Sequence, residues 1–325
     1  MIIVIILFFL IPIIFTSRFE KIEQVIANKN YGEGIVDGSY DYGKYEKIKL
    51  LHSDTGKIES VNIDEYLYNV VSAEMPVDYE IEALKAQATV ARTYTLYKII
   101  NSSKHKNADI CDDSGCCQAW ISKDERYKAW KTDGDKKWKK IKEAVDSTKG
   151  KIITYKGKVI NAFFHSNSGG KTERPLYVWG GEGYPYLQSV ETSGEDTYKQ
   201  YSSEVSLKKD EFIEKMKKEY KDFKIDFNDK DCIKIISYTE GDRIKQIKIG
   251  NKTLSGVEVR KIFELRSANF SIDIGKNNIK FIVKGYGHGV GLSQTGSNTL
   301  AKQGKNYIEI IKHFYSGVDV QNANY

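Results

Sequence analysis

The chain has 325 residues, 40% of them apolar, and sets 50 Lys and Arg against 44 Asp and Glu for a formal net charge of +6. That length and apolar content suffice for one large or two ordinary folded domains and exclude a disordered chain. Most cations stand beside acids, as in Lys208 to Lys221. Such runs read as solvated helix faces rather than a nucleic-acid footprint.

Met1 to Thr16 carries no charge and is almost entirely Ile, Leu, Val and Phe, with one proline at Pro12. The run is short against the ~20 residues of a spanning helix, yet it lacks a basic n-region and a small-residue cleavage site. An uncleaved N-terminal membrane anchor over residues 1–17 is expected, followed by a juxtamembrane linker over 18–44. Arg18 and Lys21 follow the apolar run, which by itself argues for the opposite orientation, but long downstream domains translocate largely regardless of such charges.

Asp64 reads as the N-cap of a helix whose Tyr66, Leu67, Val70 and Val71 form an apolar stripe. Pro76 ends it: the residue before a proline is driven out of helical angles, so Met75 is extended and Glu74 occupies the last turn. A second helix runs from about Glu80 to Ile100, with Ile81, Leu84, Ala88, Ala91 and Thr95 on one face and alanines that admit a close neighbour. Glu80 and Glu82 suit its dipole. Arg92 lies farther along, within reach of a cleft. By pattern alone, a lone glutamate at a helix end is more often a surface residue than a catalyst.

Three of the four cysteines crowd together as Cys111, Cys116 and Cys117, while Cys232 stands alone. The spacing leaves three readings open: a zinc site using thiolates with His105, a loop disulfide from Cys111 to Cys116 or Cys117, and plain buried thiols. Asp135 to Lys149 then forms a helix with Trp138, Ile141, Val145 and Thr148 on one face, stopped by Gly150. A hairpin is expected next, Lys151 to Tyr155 and Val159 to Phe164, delivering His165 to Lys171 as a loop at a strand end, where functional residues gather. Gly170-Lys171-Thr172 looks like part of a phosphate-binding loop, but His165 stands where that motif needs its first glycine, which disfavours nucleotide binding. Tyr177, Trp179, Tyr184 and Tyr186 follow and offer sugar-stacking rings, unless they are core.

Residues Ser206 to Lys284 read as a lysine-rich helix, strands around Ile233 to Ile249, a short helix near Val257 to Phe263 and further strands, with no concentrated chemistry. Gly285 to Gly296 follows, a glycine-rich loop that can turn tightly or approach a ligand, with His288 as its titratable group and Ser293 as the cap of a helix ending near Gly304.

Three of these stretches together resemble a known family. Val70-Val71-Ser72-Ala73-Glu74-Met75-Pro76 with the alanine-rich helix after it, His165-Ser166-Asn167-Ser168-Gly169-Gly170-Lys171-Thr172-Glu173, and Gly285-Tyr286-Gly287-His288-Gly289-Val290-Gly291-Leu292-Ser293-Gln294-Thr295-Gly296 are similar, in the same order, to the signatures of the stage II sporulation protein D family. The resemblance spans roughly residues 45 to 317. It implies a membrane-anchored lytic transglycosylase that cleaves peptidoglycan strands to 1,6-anhydro ends during forespore engulfment. The main domain would be extracytoplasmic, between mother cell and forespore. The implied substrate is glycan stripped of stem peptides, and the implied partners are stage II sporulation proteins P and M. Some members bind zinc through a Cys and a His five residues later. Here Cys111 matches the first and Cys116 stands in place of the second, so a structural zinc on Cys111 and Cys116 is a possibility and none is needed for the chemistry.

The expected fold is α+β, with two lobes flanking a catalytic cleft: a catalytic lobe over 45–205, a second supporting lobe over 206–284 and a return segment over 285–325. Glycoside hydrolases use two carboxylates, but a transglycosylase attacks with the sugar's own 6-hydroxyl, so one acid suffices. Glu74 is the expected catalytic acid, with Arg92, His165, Ser168, Lys171, Tyr177 and His288 binding the glycan. Two readings from other classes stay open: a hydrolase pairing Cys116 or Cys117 with His165 or His288, and a non-catalytic wall-binding scaffold. A zinc peptidase is disfavoured because no two histidines share a helical spacing.

Overall fold

The computed structural model describes residues 45–101 and 104–323. The expected anchor and linker lie outside the described residues, and no helix among the described residues is long and apolar enough to cross a membrane. The architecture is α+β, helices combined with several small sheets.

Strands β1 (Lys47–Leu51) and β2 (Ile58–Asn62) form an antiparallel pair that feeds directly into helix α1 (Ile63–Glu74). The cap is Asn62, whose side chain accepts the N–H groups of Asp64 and Glu65, and not the expected Asp64. Asn62 still has the extended backbone of the strand, as a cap requires, whereas Asp64 sits inside the first turn and turns toward Arg92 and Lys149 at 3.8 and 3.5 Å. Helix α2 (Ile81–Ile100) is buried without a break from Ala86 to Leu96. Its alanines let α1 and later elements pack on several sides.

After β3 (Ile110–Cys111) come α3 (Lys123–Trp130) and α4 (Gly134–Asp146). Helix α4 stops before the expected Lys149, in a turn that ends at Gly150 with φ of 69°. Strand β4 (Lys151–Tyr155) then pairs with β5 (Lys158–Val159), and Lys156 and Gly157 both take positive φ in the turn between them. The expected long second strand does not form. The Asn161 N–H donates to the Tyr186 hydroxyl at 2.9 Å, and β6 (Phe164–His165) pairs instead with a strand from the end of the chain.

Beyond α5 (Leu176–Trp179) lies a region with its own apolar cluster, within Leu207 to Val283. It contains β7 (Ser202–Lys208), α6 (Lys209–Glu219), β8 (Ile233–Tyr238), β9 (Ile244–Ile249), β10 (Lys252–Leu254), α7 (Gly256–Ile262), β11 (Asn269–Ile274) and β12 (Asn278–Lys284). Then β13 (Leu292–Ser293), α8 (Gln294–Lys302), α9 (Tyr307–Phe314) and β14 (Asp319–Asn322) return to the first cluster, where β14 covers the free edge of β4. Ser293 caps α8 as expected, accepting the Gly296 N–H.

Arg92 is wholly buried and does not face a cleft. Its guanidinium donates to the carbonyls of Val145 (3.2 Å) and Lys151 (3.4 Å) and to Thr148 Oγ1 (3.4 Å). With Asp64 nearby, it ties α1, α2, α4 and β4 together. Arg92→Leu is therefore expected to cost roughly 2–4 kcal/mol of folding stability, because two buried carbonyls lose their donor. Urea unfolding measures this directly; an unchanged midpoint would contradict the placement.

Candidate active site

Glu74 closes α1, and Met75 behind it is extended (φ −119°, ψ 142°), its N–H still bonded to Val71 O at 3.1 Å. The carboxylate is gripped from two remote segments. Oε1 accepts the Ala119 N–H at 2.7 Å, and Oε2 accepts from Gln294 Nε2 at 3.2 Å. Burial raises the Glu74 pKa above the ordinary carboxylate value, and the two hydrogen bonds pull the other way without cancelling it. A carboxyl so placed holds its proton to higher pH than a solvated one. It faces a cleft of about 770 Å³ also lined by Tyr94, His165, Trp179, Tyr286 and His288. Among the described residues lining that cleft, Glu74 is the one carboxylate.

The two later loops meet because β6 and β13 run parallel, His165 beside Ser293, with Asn167 and Tyr286 exchanging backbone hydrogen bonds next to them. The knot between them is Glu195, which is buried. Its carboxylate accepts from Thr192 Oγ1 (2.9 Å), Thr295 Oγ1 (3.0 Å), the Ser168 N–H (3.2 Å) and the hydroxyls of Ser168 and Ser293. Arg243, at the entrance to β9, is buried as well and donates to the carbonyls of Ser168 (2.9 Å) and Lys171 (3.0 Å). A Cβ on Gly289 would stand 2.0 Å from Arg243 Nη2, so that position has room only for glycine, and its φ of 83° suits one. No sequence motif contains Glu195 or Arg243, and Gln294 lies within the third signature stretch without being singled out there as a site residue.

His165 Nδ1 is 3.2 Å from Val290 O, and His288 Nδ1 accepts the Val290 N–H at 3.0 Å. Burial, with help from nearby Arg243 and Arg260, pushes His288 down to about 3 and His165 well below its ordinary value. Both rings are neutral at physiological pH. Trp179 packs 5.1 Å from His288 and 4.6 Å from Phe163, and with Tyr286 it presents a large exposed aromatic surface to the cleft.

Of the expected glycan ligands, His165 and His288 line this cleft, and Ser168, Lys171 and Tyr177 do not. Ser168 faces Glu195 instead, because a buried carboxylate needs its hydroxyl. Lys171 forms an isolated antiparallel backbone bridge with Glu191, and its carbonyl accepts from Arg243. Tyr177 lines a small cavity behind His288. Tyr184 and Tyr186 line a separate cavity of about 290 Å³.

The four cysteines are free thiols. His105, Cys111, Cys116 and Cys117 bring their ligand atoms within 4.8 Å of one another, with His105 Nε2 lying 3.4 Å from Cys117 Sγ and 3.7 Å from Cys116 Sγ. One nitrogen and three sulfurs at that separation are a donor set that fits a tetrahedral metal ion. The histidine in contact with Cys116 and Cys117 is thus His105 and neither His165 nor His288. Burial pushes the Cys117 thiol up to about 12, the wrong direction for a nucleophile.

A stage II sporulation protein family model (SpoIID) matches residues 52–155. The stage II sporulation protein D of Bacillus subtilis (strain 168) is 35% identical over 279 residues, which cover 85% of this chain and 79% of that protein. Its counterpart in Bacillus amyloliquefaciens is 34% identical over 280 residues, with the same coverage. A protein of Bacillus subtilis named amidase enhancer is 27% identical over 299 residues, 77% of this chain but 39% of that protein.

Removing the Gln294 donor takes away a hydrogen bond that favours the ionised form of Glu74. Gln294→Leu is therefore expected to raise the Glu74 pKa further, because one of the two hydrogen bonds that favour its ionised form is lost. Carbon-detected NMR titration of the Glu74 carboxyl reads the shift, and a fall in pKa would contradict the geometry.

Proposed function

The chain belongs to the stage II sporulation protein D family, and from that premise we propose that it is a peptidoglycan lytic transglycosylase with Glu74 as its catalytic acid. The relatives' names assign a role in sporulation. The observation that carries the chemistry is the solitary, buried, proton-retaining carboxyl in a long cleft. Protonated Glu74 gives its proton to the glycosidic oxygen as the C1–O bond breaks. The muramic acid 6-hydroxyl oxygen then bonds to C1, and the Glu74 carboxylate takes the hydroxyl proton, which restores the acid. No water is consumed, so no second carboxylate is required to activate one.

The other residues act by placement. Ala119 and Gln294 orient the carboxyl, Trp179 and Tyr286 offer faces for sugar rings, and neutral His288 supplies an uncharged group on the cleft wall with buried His165 packed beside it. In this reading the strand is peptide-free, the chain is anchored by its N-terminal segment, and the work is done in the engulfment zone alongside stage II sporulation proteins P and M.

His105, Cys111, Cys116 and Cys117 would hold zinc. A closed set of four ligands makes the ion a structural fastener for the loop that leads into Ala119, and no step of the reaction passes through it. Elemental analysis is expected to find one zinc per chain, and chelation or Cys117→Ser to lower the melting temperature. A metal-free chain whose melting is insensitive to chelator would remove this part of the reading.

Incubation with peptide-free strands is expected to release 1,6-anhydro ends, read by mass spectrometry. Glu74→Gln should lower the rate by about 10²–10⁴-fold with melting unchanged. Products heavier by one water would mean a hydrolase. Full engulfment and glycan binding by an inert Glu74→Gln chain would mean a scaffold.

A further inference from the structure

Glu74 does not sit at the end of the cleft. A second cavity, of about 290 Å³, opens on it and shares Glu74, Ser166 and Gln294 with the larger one. Any enzyme that cuts inside a polymer must hold chain on both sides of the scissile bond, so an acid at the waist between two cavities invites the question of what the smaller one grips. Its distinctive walls are Arg126 and Trp130, one helical turn apart on α3 and therefore on one face of that helix.

Helix α3 contains no fully buried residue: a complete capping box at Ser122 fixes its start, and Trp130 packs on the edge of the first apolar cluster. Trp130 is half-buried against Tyr127 (6.1 Å) and Trp138 (6.3 Å), which fix its indole. The Arg126 guanidinium lies over that indole at 5.8 Å, and its Nε is enclosed without a hydrogen-bond partner. Among the described residues no carboxylate forms an ion pair with Arg126. A guanidinium on the cavity wall with no carboxylate partner, stacked on a ring fixed by its neighbours and beside Glu74, is the arrangement that a sugar bearing an acid group would complete.

We propose that Trp130 and Arg126 form a saccharide subsite on the far side of Glu74 from the main cleft. The indole takes a sugar face, and the guanidinium takes the lactyl carboxylate of a muramic acid unit. This rests on the glycan-cleaving reading above. It adds a chemical requirement: an amide-linked stem peptide on that unit removes the carboxylate, and a chitin oligosaccharide never has it.

The test uses the full chain carrying Glu74→Gln, so that binding is measured without turnover, against peptide-free peptidoglycan strands and chitin oligosaccharides of matched length. Adding Trp130→Ala is expected to weaken both about tenfold, the loss of one well-placed aromatic contact. Adding Arg126→Gln is expected to weaken the peptidoglycan strands about fivefold and chitin by less than twofold, the loss of one charge-assisted hydrogen bond. Trp130→Phe, which preserves a ring, should restore most of the affinity and guards against loss of folding in the alanine variant. Parental affinity in both variants, or an equal loss for both ligands with Arg126→Gln, overturns the proposal. Wild-type chain that releases no anhydro ends while this binding pattern holds removes the transglycosylase chemistry and leaves the subsite standing.

Discussion

The site depends on a single carboxylate held by donors that are 45 and 220 residues away in sequence. Local rules place Glu74 at the end of α1, since Pro76 stops the helix there. Its aim is set by Ala119, from the cysteine-rich loop, and by Gln294, the first residue of α8. Because burial outweighs both hydrogen bonds in setting its proton affinity, the elements that close over Glu74 matter as much as those that touch it. Anything that loosens the two loops exposes the carboxyl to water and lowers its pKa toward that of an ordinary surface acid.

That makes the polar knot behind the cleft the second requirement. Glu195 collects hydroxyls from Ser168, Thr192, Ser293 and Thr295, so four side chains from three segments share one buried carboxylate. Arg243 performs the converse task, with one buried cation collecting the carbonyls of Ser168 and Lys171. A buried charge held by several hydrogen bonds tolerates little displacement of its partners, because each lost bond leaves a desolvated group unmet. Among the described residues, the region with the second apolar cluster contributes one side chain, Arg260, to the lining of the cleft before Tyr286. Through Arg243 it also positions the loop that supplies His165.

What the sequence discloses follows from the range of the forces involved. The helices α1 and α2, the cap at Ser293 and the elbow at Glu74 are visible because periodicity, proline and capping act over a few residues. Asn62 and Asp64 are both competent caps, and only the end point of β2 decides between them. Arg92 on an alanine-rich helix looks available to a cleft until the carbonyls of α4 and β4 close on it. Ser168 lies in a signature loop, and its role is likewise reversed by a distant partner, Glu195, which no local pattern marks. The fourth metal-type ligand, His105, was legible as a candidate from its nearness to the cysteines in the chain, whereas the joint participation of Cys116 and Cys117 is a matter of loop conformation.

The neutrality of the two cleft histidines completes the logic of a one-acid site. A protonated imidazole near Glu74 would favour the carboxylate and strip the acid of the proton it must donate. Burial is the main cause of the depressed His165 and His288 values, and the guanidiniums of Arg243 and Arg260 reinforce it. The sign follows directly: with folded-state pKa values below the unfolded ones, these histidines cost the fold stability as pH drops below about 6.5, the unperturbed imidazole value. Burial therefore disfavours charge on the histidines and on Glu74 alike, with fixed cations near the histidines adding to it. The loss of fold stability in acid and the raised proton affinity of Glu74 thus share one physical cause, and a change that opened the cleft to water would relax both.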